Sequence, residues 1–374
     1  MTQLEYQYPK IDATKLVVEK TTEPRSLPPK EQLGFGKVFT DHMLTLDWDL
    51  EKGWTAPRIH PYAKIALDPS AIVFHYAVEC FEGMKAYKDA DGEIRLFRPE
   101  LNITRFRLSM ERLALPAPSE ADLLACIKEL VKIESRWIPE NARGYSLYIR
   151  PTAIATQETL GVSPSSRCKV FVICSPVGPY YKTGFSSVSL FATEKHVRAW
   201  PGGTGDAKLG SNYAPGILIQ TQVAKQGYAQ NLWILNGMVT EVGTMNFFVY
   251  WINKDGEKEL RTPHLDGTIL PGITRRSILE LSREWGEFKV TEGPIAMDDI
   301  KVAAEEGRLL EVFGSGTAAI VSPVHLIRWR DADVKVPLDP TNPDAQAGPL
   351  TSRLADTIMK IQYGEMEHPW SVKL

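Results

Sequence analysis

Lys208 lies in a glycine-rich turn, residues 202–210, where a lysine amine could act as a nucleophile or a base. Its neighbours Ala207 and Leu209 do not fit a phosphate-binding P-loop, which needs glycine before the lysine and serine or threonine after it. Most lysines are solvated surface residues, and the turn is compatible with that state. Taken alone, the turn therefore favours a solvated lysine. The alternative is an amine that forms a Schiff base with a cofactor aldehyde, which requires desolvation or a neighbouring cation.

Two charged residues elsewhere in the chain offer complementary chemistry. Glu241 precedes an apolar strand, where it is either a solvated strand-end carboxylate or the partner of a pyridine nitrogen. Arg105 is either one member of a solvated basic helix face or an arginine that turns inward to bind a phosphate bidentately. Spacing alone is compatible with each of these interpretations.

Two glycine-containing segments could bind an anion through backbone N–H groups. Residues 269–275, ILPGITR, place Pro-Gly before a helix whose first amides favour a phosphate, although most helix starts bind nothing. Residues 313–319, FGSGTAA, nearly match the dinucleotide pattern GxGxx[G/A]. A helix should follow that pattern, but residues 319–326 read as a strand that contains Pro323, so the dinucleotide interpretation fails. The turn amides and the Thr317 hydroxyl remain available for an anion.

The composition excludes several classes of protein. A chain of 374 residues is too long for one ordinary core and suits two domains. Hydrophobic residues make up 43% and charged residues 24%, as in globular proteins, and the net charge of −3 predicts no nucleic-acid partner. No stretch approaches the roughly 20 apolar residues of a membrane span, so we expect no membrane partner. The histidines lack metal-ligand spacing and no GxSxG elbow occurs, so we expect neither a metal nor a serine hydrolase.

Periodicity and composition divide the chain into short strands and helices. We predict strands over residues 37–46, 65–67, 94–97, 146–155, 169–174, 186–193, 231–235, 246–252, 308–313 and 319–326. We predict helices over residues 102–113, 120–135, 214–226, 273–285 and 349–361. Because strands and helices are interleaved without regular βαβ alternation, the pattern indicates an α+β fold.

The domain boundary is expected where proline and glycine concentrate between two strand-rich regions. Residues 175–185, SPVGPYYKTGF, have the composition of an interdomain linker. We therefore predict an N-terminal domain over 1–176 that begins with an extended polar arm, a linker over 177–187, and a second domain over 188–374.

Eight short segments, taken in order and spacing, resemble the class IV PLP-dependent aminotransferases of fold type IV (PLP, pyridoxal 5′-phosphate). The likeness is closest to the eukaryotic type of branched-chain amino-acid aminotransferase. The segments are FGKVFTDHM (35–43), HYAVECFEGMKAY (75–87), LFRPELNITR (96–105), SLYIRP (146–151), VRAWPGGTGDAKLGSNYAPG (197–216), TEVGTMNFFVYW (240–251), ILPGITR (269–275) and EVFGSGTA (311–318). The resemblance implies a smaller N-terminal α/β domain and a larger cofactor-binding C-terminal domain with a β-barrel-like core.

The resemblance also implies roles for residues that would hold PLP. Lys208 is similar to the lysine that forms the Schiff base and moves the proton at the substrate Cα. Glu241 is similar to the partner of the pyridine nitrogen, and Tyr213 to the donor that meets the phenolic oxygen. The other expected cofactor contacts are Arg105, the amides of Ile273 and Thr274, Thr317, Thr244 and Arg198, the last on the cofactor side or in a structural role.

Substrate contacts follow from the same resemblance. The substrate α-carboxylate is expected at the Thr317 and Ala318 amides, near Tyr76. Tyr148 and Arg150 are candidates for the distal carboxylate of glutamate. The residues expected to line the side-chain pocket are Phe35, Phe81, Tyr148, Val162 and Tyr180.

The activity implied is ping-pong transamination in a homodimer. Leucine, isoleucine or valine would give its amine to PLP, and 2-oxoglutarate would take the amine to become glutamate. Other fold-type IV enzymes, such as a D-amino-acid aminotransferase or an aminodeoxychorismate lyase, are alternatives. A catalytically silent, ligand-binding relative is a further alternative from a different class.

The cysteines and the N-terminal residues bear on the compartment. Four cysteines without a CxxC pair favour reduced thiols in an intracellular protein. Glu5 and Asp12 disfavour a mitochondrial transit peptide, so we expect the cytoplasm, with the mitochondrion as the alternative. Where mammalian members of the family carry a CxxC pair, this chain has Ala319 and Ser322, so we expect no thiol-based redox control there.

Overall fold

The computed structural model describes residues 10–140, 143–179 and 186–374. Contacts between Cα atoms divide the chain into two compact units. Unit 1 comprises Met1–Tyr180, Ala207–Ser211 and Lys360–Leu374. Unit 2 comprises Tyr181–Asp206 and Asn212–Met359. Each unit is described below by itself.

The described residues form strands and α-helices that are interleaved along the chain. The strands are β1 (Val17–Val18), β2 (His42–Asp49), β3 (Gly53–Trp54), β4 (Arg58–Pro61), β5 (Glu79–Phe81), β6 (Met84–Lys88), β7 (Ile94–Phe97), β8 (Ser146–Ala155), β9 (Arg167–Val177), β10 (Val188–Thr193), β11 (Gln230–Leu235), β12 (Met238–Val242), β13 (Met245–Ile252), β14 (Lys258–Thr262), β15 (Lys289–Glu292), β16 (Leu309–Gly316), β17 (Ile320–Trp329), β18 (Ala332–Lys335) and β19 (Ser371–Lys373). The helices are α1 (Ile72–Tyr76), α2 (Pro99–Arg112), α3 (Glu120–Ile133), α4 (Gly216–Lys225), α5 (Ile273–Trp285), α6 (Met297–Glu305) and α7 (Pro349–Gln362). None of them combines the length and apolar character that a membrane span requires.

Unit 1 is built on one sheet in the order β1-β4-β2-β9-β8-β6-β7-β19, with β3 beside β2 and β5 beside β8. Helix α3 covers this sheet because its apolar residues recur every three or four positions, and Leu123, Ile127 and Leu130 are all buried in the core. Ser119 caps the helix by accepting a hydrogen bond from the N–H of Asp122. The pairing of β8 with β5 and β6 brings residues 79–88 beside residues 146–155.

Unit 2 contains a closed six-stranded barrel. Each of β10, β11, β12, β13, β16 and β17 pairs with two neighbours, and the ring closes through the pairing of β12 with β13. Alternate residues of β13, Phe247 and Val249 among them, point into the core, as expected for strands with one buried face. Met297 and Ile300 bring α6 onto the same core. The α+β class and the barrel-like core predicted from the sequence are confirmed.

The predicted elements agree best where the periodic pattern is long. The strands over 94–97 and 146–155 and the helix over 273–285 have the predicted bounds, and Gly286 ends that helix in the left-handed conformation. The predicted strand over 65–67 is wrong, because those residues form no regular element. Helix α6 and the short strands β12, β14 and β15 were not predicted, since each is a short run of mixed polarity.

The division into units differs from the predicted domains at two places. Strand β19 pairs with β7, which places residues 360–374 in unit 1 rather than in the second domain. Residues 207–211 also cluster with unit 1, through the bridge between Cys80 and Leu209. These additions make unit 1 the longer of the two, the reverse of the sizes expected. Most of the predicted linker, residues 180–185, lies outside the described residues.

Candidate active site

The backbone of Lys208 is fixed within unit 1 by contacts on both sides. Its N–H donates to Ser109 Oγ of α2 at 2.9 Å, and its carbonyl accepts from the N–H of Phe81 at 3.1 Å. Gly210 leaves room for the Glu79 side chain beside it, because a Cβ at this position would lie 1.5 Å from Glu79 Oε1. The glycine-rich turn therefore holds the lysine at the end of β5, rather than projecting it from a loose loop.

The amine of Lys208 lies in a partly buried, charged environment. Its Nζ is 4.9 Å from the centroid of the Phe81 ring. Glu82, the residue after Phe81, is fully buried and forms a bidentate ion pair with Arg105 at 2.5 and 3.0 Å. Burial alone would raise the pKa of the Glu82 carboxyl, but Arg105 and Lys208 hold that pKa below its usual value. Glu82 is therefore ionised at neutral pH and attracts both cations.

Glu82 and Asn102 were given no role in the sequence analysis. The side chain of Asn102 is buried and its Nδ2 donates to Glu82 Oε2 at 2.8 Å and to the Gly83 carbonyl at 3.0 Å. The N–H of Gly83 donates to the same carboxylate oxygen at 2.8 Å. The available signal was an acidic residue enclosed by the apolar stretch around FEGM.

Another lysine of unit 1, Lys85, is buried. Lys85 is in β6, where it pairs in register with Tyr148 of β8. Its side chain is buried, and this burial lowers the pKa of Lys85 to about 8. A lysine with such a pKa is partly deprotonated near neutral pH, so Lys85 is a chemical competitor of Lys208 for an aldehyde.

Four residues with predicted substrate contacts, Phe35, Phe81, Tyr148 and Arg150, contact one another in unit 1. Phe35 packs edge-on against Tyr148, with ring centroids 4.8 Å apart. Arg150 donates to the Tyr148 hydroxyl at 3.1 Å and lies over the Phe81 ring at 4.6 Å. This aromatic surface with one guanidinium and one phenol continues to the amine of Lys208 through the Phe81 ring.

Two other residues with predicted substrate contacts, Tyr76 and Val162, are exposed in unit 1. The side chain of Tyr76 is 42% exposed, and its hydroxyl donates to the Leu160 carbonyl at 2.6 Å. Val162 is 81% exposed, and Phe74 and Leu160 are exposed as well. Tyr180 lies outside the described residues.

Glu241 is buried in unit 2, within a network of donors. Its carboxylate accepts from Arg198 Nε at 2.9 Å, from the N–H of Leu270 at 2.7 Å and from Asn246 Nδ2 at 3.3 Å. The hairpin between β12 and β13 supports this arrangement, because it pairs Glu241 directly with Asn246. The solvated strand-end alternative for Glu241 is therefore wrong.

Arg198 links Glu241 to two backbone carbonyls. While its Nε binds the carboxylate, Nη1 donates to the Thr268 carbonyl at 2.9 Å and Nη2 to the Gly205 carbonyl at 3.1 Å. All three nitrogens of its guanidinium thus have protein acceptors. Of the two roles expected for Arg198, this geometry supports the structural one.

The predicted anion-binding segments of unit 2 have the expected local geometry. Ile273 and Thr274 are the first two residues of α5, where backbone amides have no acceptor within the helix. Thr317 and Ala318 form the tip of the hairpin between β16 and β17, and the strand after them excludes the dinucleotide interpretation.

Two further predicted contacts lie in turns of unit 2. Thr244 is exposed in the turn between β12 and β13. Tyr213 is half-buried, directly after a short 3₁₀ helix and before α4. Their roles stay predictions.

The donor set fits PLP chemically. An arginine, helix-terminal amides and a hydroxyl are groups that bind a phosphate. A buried carboxylate suits a protonated ring nitrogen, and a partly buried amine suits an aldehyde. These groups are Arg105 and Lys208 of unit 1 and Glu241, Ile273, Thr274 and Thr317 of unit 2.

Comparisons with known proteins agree with these features. The family described as "Amino-transferase class IV" matches residues 79–327. A branched-chain-amino-acid aminotransferase of Dictyostelium discoideum is 53% identical over 97% of this chain and 95% of its own length. Saccharomyces cerevisiae has a cytosolic relative of that name, 50% identical over 96% of this chain and 97% of its own length. The mitochondrial branched-chain-amino-acid aminotransferase of Saccharomyces cerevisiae is 48% identical over 96% of this chain and 93% of its own length.

Solved structures show the same fold. The branched-chain amino acid aminotransferase of Escherichia coli matches with a TM-score of 0.68 and 25% identity, over 87% of this chain and 97% of the other. A T.th. enzyme of the same name, complexed with N-(5′-phosphopyridoxyl)-L-glutamate, matches over the same shares with a TM-score of 0.66 and 25% identity. The chain belongs to the class IV aminotransferases, enzymes that use PLP.

Proposed function

We propose that this enzyme transfers the amino group of L-leucine, L-isoleucine or L-valine to 2-oxoglutarate, giving branched 2-oxo acids and L-glutamate. The observation that carries the proposal is the cluster in which Lys208 lies beside Phe81 and the Glu82–Arg105 ion pair. The names of relatives about half identical over nearly the whole chain support the choice of substrates.

PLP supplies an electron sink for the carbanion that forms at the substrate Cα. Lys208 is the residue proposed to hold the cofactor, and its Nζ takes the proton from the substrate Cα as a positioned general base. Its backbone contacts with Ser109 and Phe81 fix where the side chain begins.

The other proposed cofactor contacts bind three different groups of PLP: the phosphate, the ring nitrogen and the phenolic oxygen. Arg105, the amides of Ile273 and Thr274, and Thr317 bind the phosphate, and Glu82 orients Arg105 for this task. Glu241 keeps the ring nitrogen protonated, and Arg198 orients Glu241 from behind. Tyr213 donates to the phenolic oxygen, and Thr244 contributes a weaker contact.

Substrate binding is proposed to use the aromatic surface of unit 1. Phe35, Phe81 and Tyr148 present apolar ring area for a branched side chain. Arg150 and the Tyr148 hydroxyl bind the distal carboxylate when glutamate occupies the same pocket. The amides of Thr317 and Ala318 bind the α-carboxylate.

Exposed hydrophobic side chains of unit 1 support a homodimer. Tyr76 and Val162 have proposed substrate contacts, yet both are exposed in a single chain, as are Phe74 and Leu160. A second copy packed against these side chains would remove their apolar surface from water. Sedimentation equilibrium tests this point, and a monomer at micromolar concentration would exclude it.

We further propose that the enzyme works in the cytosol rather than the mitochondrion. Cytosolic and mitochondrial proteins both occur among the relatives, and the cytosolic protein of Saccharomyces cerevisiae is 50% identical to this chain while the mitochondrial one is 48% identical. Fractionation of cells that express the full chain would decide, and recovery with the mitochondrial matrix would contradict the proposal.

Borohydride reduction of the holoenzyme, followed by peptide mass mapping, tests which lysine holds PLP. We expect the cofactor mass on the peptide of Lys208, and its appearance on Lys85 instead would refute the assignment. Lys208→Ala should lower turnover of L-leucine by about a thousandfold, since the variant lacks the amine that is proposed to act as the general base. The exposed Lys132→Ala is the matched control and should keep wild-type turnover.

Substrate choice requires a separate measurement. We expect turnover with L-leucine and 2-oxoglutarate and none with D-alanine. Turnover of D-alanine alone would favour the D-amino-acid aminotransferase alternative. A purified protein that takes up no PLP would favour the silent relative.

A further inference from the structure

A second concave site lies on unit 2, and none of its lining residues belongs to the proposed cofactor or substrate contacts. Its volume is about 330 Å³, near the lower end of the range of small-molecule pockets. The lining residues that carry charge are Lys254, Asp255, Glu259, Arg261, Lys289, Asp299 and Arg308. Four cations and three carboxylates leave a small positive excess.

Most of the charged groups around this site already have partners. Lys254 donates to Asp299 at 3.1 Å. Lys289 and Arg308 pair with Glu257 and Glu306, which lie outside the lining. Glu259 accepts from Trp251 Nε1 at 2.8 Å and from Thr291 Oγ1 at 2.6 Å.

Arg261 differs from these cations. Its Nε is buried without an acceptor, and no group in the described part of the chain forms a hydrogen bond or an ion pair with its guanidinium. A buried N–H without an acceptor is costly, so natural structures usually provide a partner from protein, water or ligand. A guanidinium that lines a pocket in this state offers a two-pronged donor for an incoming anion.

The sheet fixes where the side chain of Arg261 begins. Arg261 lies in β14, where β13 pairs with it on one side at Val249 and β15 on the other side at Thr291. The side chain packs closely over Gly293, since a Cβ there would lie 2.6 Å from Arg261 Nη2. The guanidinium therefore lies against Gly293 while it lines the pocket.

We propose that Arg261 is the anchor of a binding site for a small oxyanion, either a carboxylate or a phosphate. Planar carboxylates and phosphates both match the fork of a guanidinium. Asp255, Glu259 and Asp299 in the lining would repel a polyanion, so nucleic acids and polyphosphates do not suit this site.

Isothermal titration of the PLP-loaded full chain tests the proposal with two probes, sodium phosphate and sodium acetate, at an ionic strength held constant with sodium chloride. We expect a saturable binding component that weakens at least tenfold in Arg261→Gln. Arg330→Gln makes the same change at an exposed arginine elsewhere in unit 2 and should retain the component. Gly293→Ala should also weaken it, because the new Cβ displaces the guanidinium without removing its charge.

The two probes distinguish the two sources of the anion. Binding of acetate only identifies a carboxylate site, binding of phosphate only identifies a phosphate site, and binding of both identifies a general oxyanion site. The proposal is overturned if the wild-type enzyme binds neither anion, or if Arg261→Gln and Arg330→Gln bind both anions as tightly as wild type.

Discussion

Two buried glutamates, Glu82 in unit 1 and Glu241 in unit 2, are bound by the same three kinds of donor. Each carboxylate accepts from an arginine, from an asparagine amide and from a backbone N–H. The difference lies in the arginines. Arg198 donates to two backbone carbonyls as well as to Glu241. Arg105 instead forms a bidentate ion pair with Glu82, and the same carboxylate interacts with Lys208.

The difference indicates that the arginine positions the glutamate in unit 2, whereas the glutamate positions the arginine in unit 1. In unit 2 the anchored arginine holds a carboxylate in place, and the carboxylate is the group proposed to meet the cofactor. In unit 1 the anchored carboxylate holds an arginine in place, and the arginine is the group proposed to meet the phosphate. The same local network therefore presents a negative charge in one unit and a positive charge in the other.

Glu82→Gln should have the largest effect on stability. It leaves Arg105 buried without its counter-charge, which typically costs about 3–5 kcal/mol of unfolding free energy. Glu365→Gln is the matched control, because it removes the carboxylate of an exposed ion pair with Arg143 and should cost less than about 1 kcal/mol. Urea unfolding of both variants provides the measurement. Equal losses would show that the Glu82 pair behaves like a surface ion pair.

Glu241→Gln should act mainly on turnover. A neutral amide cannot keep the ring nitrogen protonated, so we expect kcat for L-leucine to fall about 100-fold, equivalent to about 2.7 kcal/mol of barrier. Visible absorbance should show that PLP is still bound. A kcat within threefold of wild type would contradict the proposed role of Glu241 in catalysis. Glu241 and its donors would then be a network that only stabilises the fold.

How much of this comparison could be predicted from the sequence depends on the range of each interaction. Lys208 and Glu241 lie in short sequence motifs, so both could be predicted as candidate site residues from the residues next to them. The role of Glu82 depends on its burial and on Arg105, 23 positions away, which no local pattern shows. The orientation of Arg198 depends on the Thr268 carbonyl, 70 positions away.

The same distinction holds for the fold. Helix α5 was predicted with its observed bounds because its apolar face repeats over thirteen residues. The assignment of residues 360–374 to unit 1 depends on β19 pairing with β7, a contact between distant parts of the chain. Periodicity carries no information about such pairings, so the predicted domain boundary followed the chain order instead.

Gly205 and Gly210, on either side of Lys208, allow the packing of the two units to be compared within one turn. A Cβ at Gly205, in unit 2, would lie 2.8 Å from the Thr268 carbonyl oxygen, which belongs to rigid backbone. A Cβ at Gly210, in unit 1, would meet the end of the Glu79 side chain, which can rotate away. We expect Gly205→Ala to cost about 2 kcal/mol, as overpacking does.

Gly210→Ala should be nearly neutral, because alanine also reduces the entropy of the unfolded chain by about 0.4–1 kcal/mol. Thermal unfolding of both variants measures the contrast. A larger loss for Gly210→Ala would mean that Glu79 is held as firmly as the backbone of unit 2.

The buried Lys85 gives the stability of unit 1 a dependence on pH. Its pKa is about 8 in the folded chain and about 10.4 in the unfolded chain, so the unfolded state binds more protons between these values. Stability therefore rises with pH in this window, and the charged lysine opposes folding at pH 7. We expect Lys85→Met to stabilise the protein at pH 7, with a gain about 1 kcal/mol smaller at pH 9. Urea unfolding at both pH values, with the exposed Lys132→Met as control, checks this, and a gain that does not change with pH would mean that Lys85 stays charged when buried.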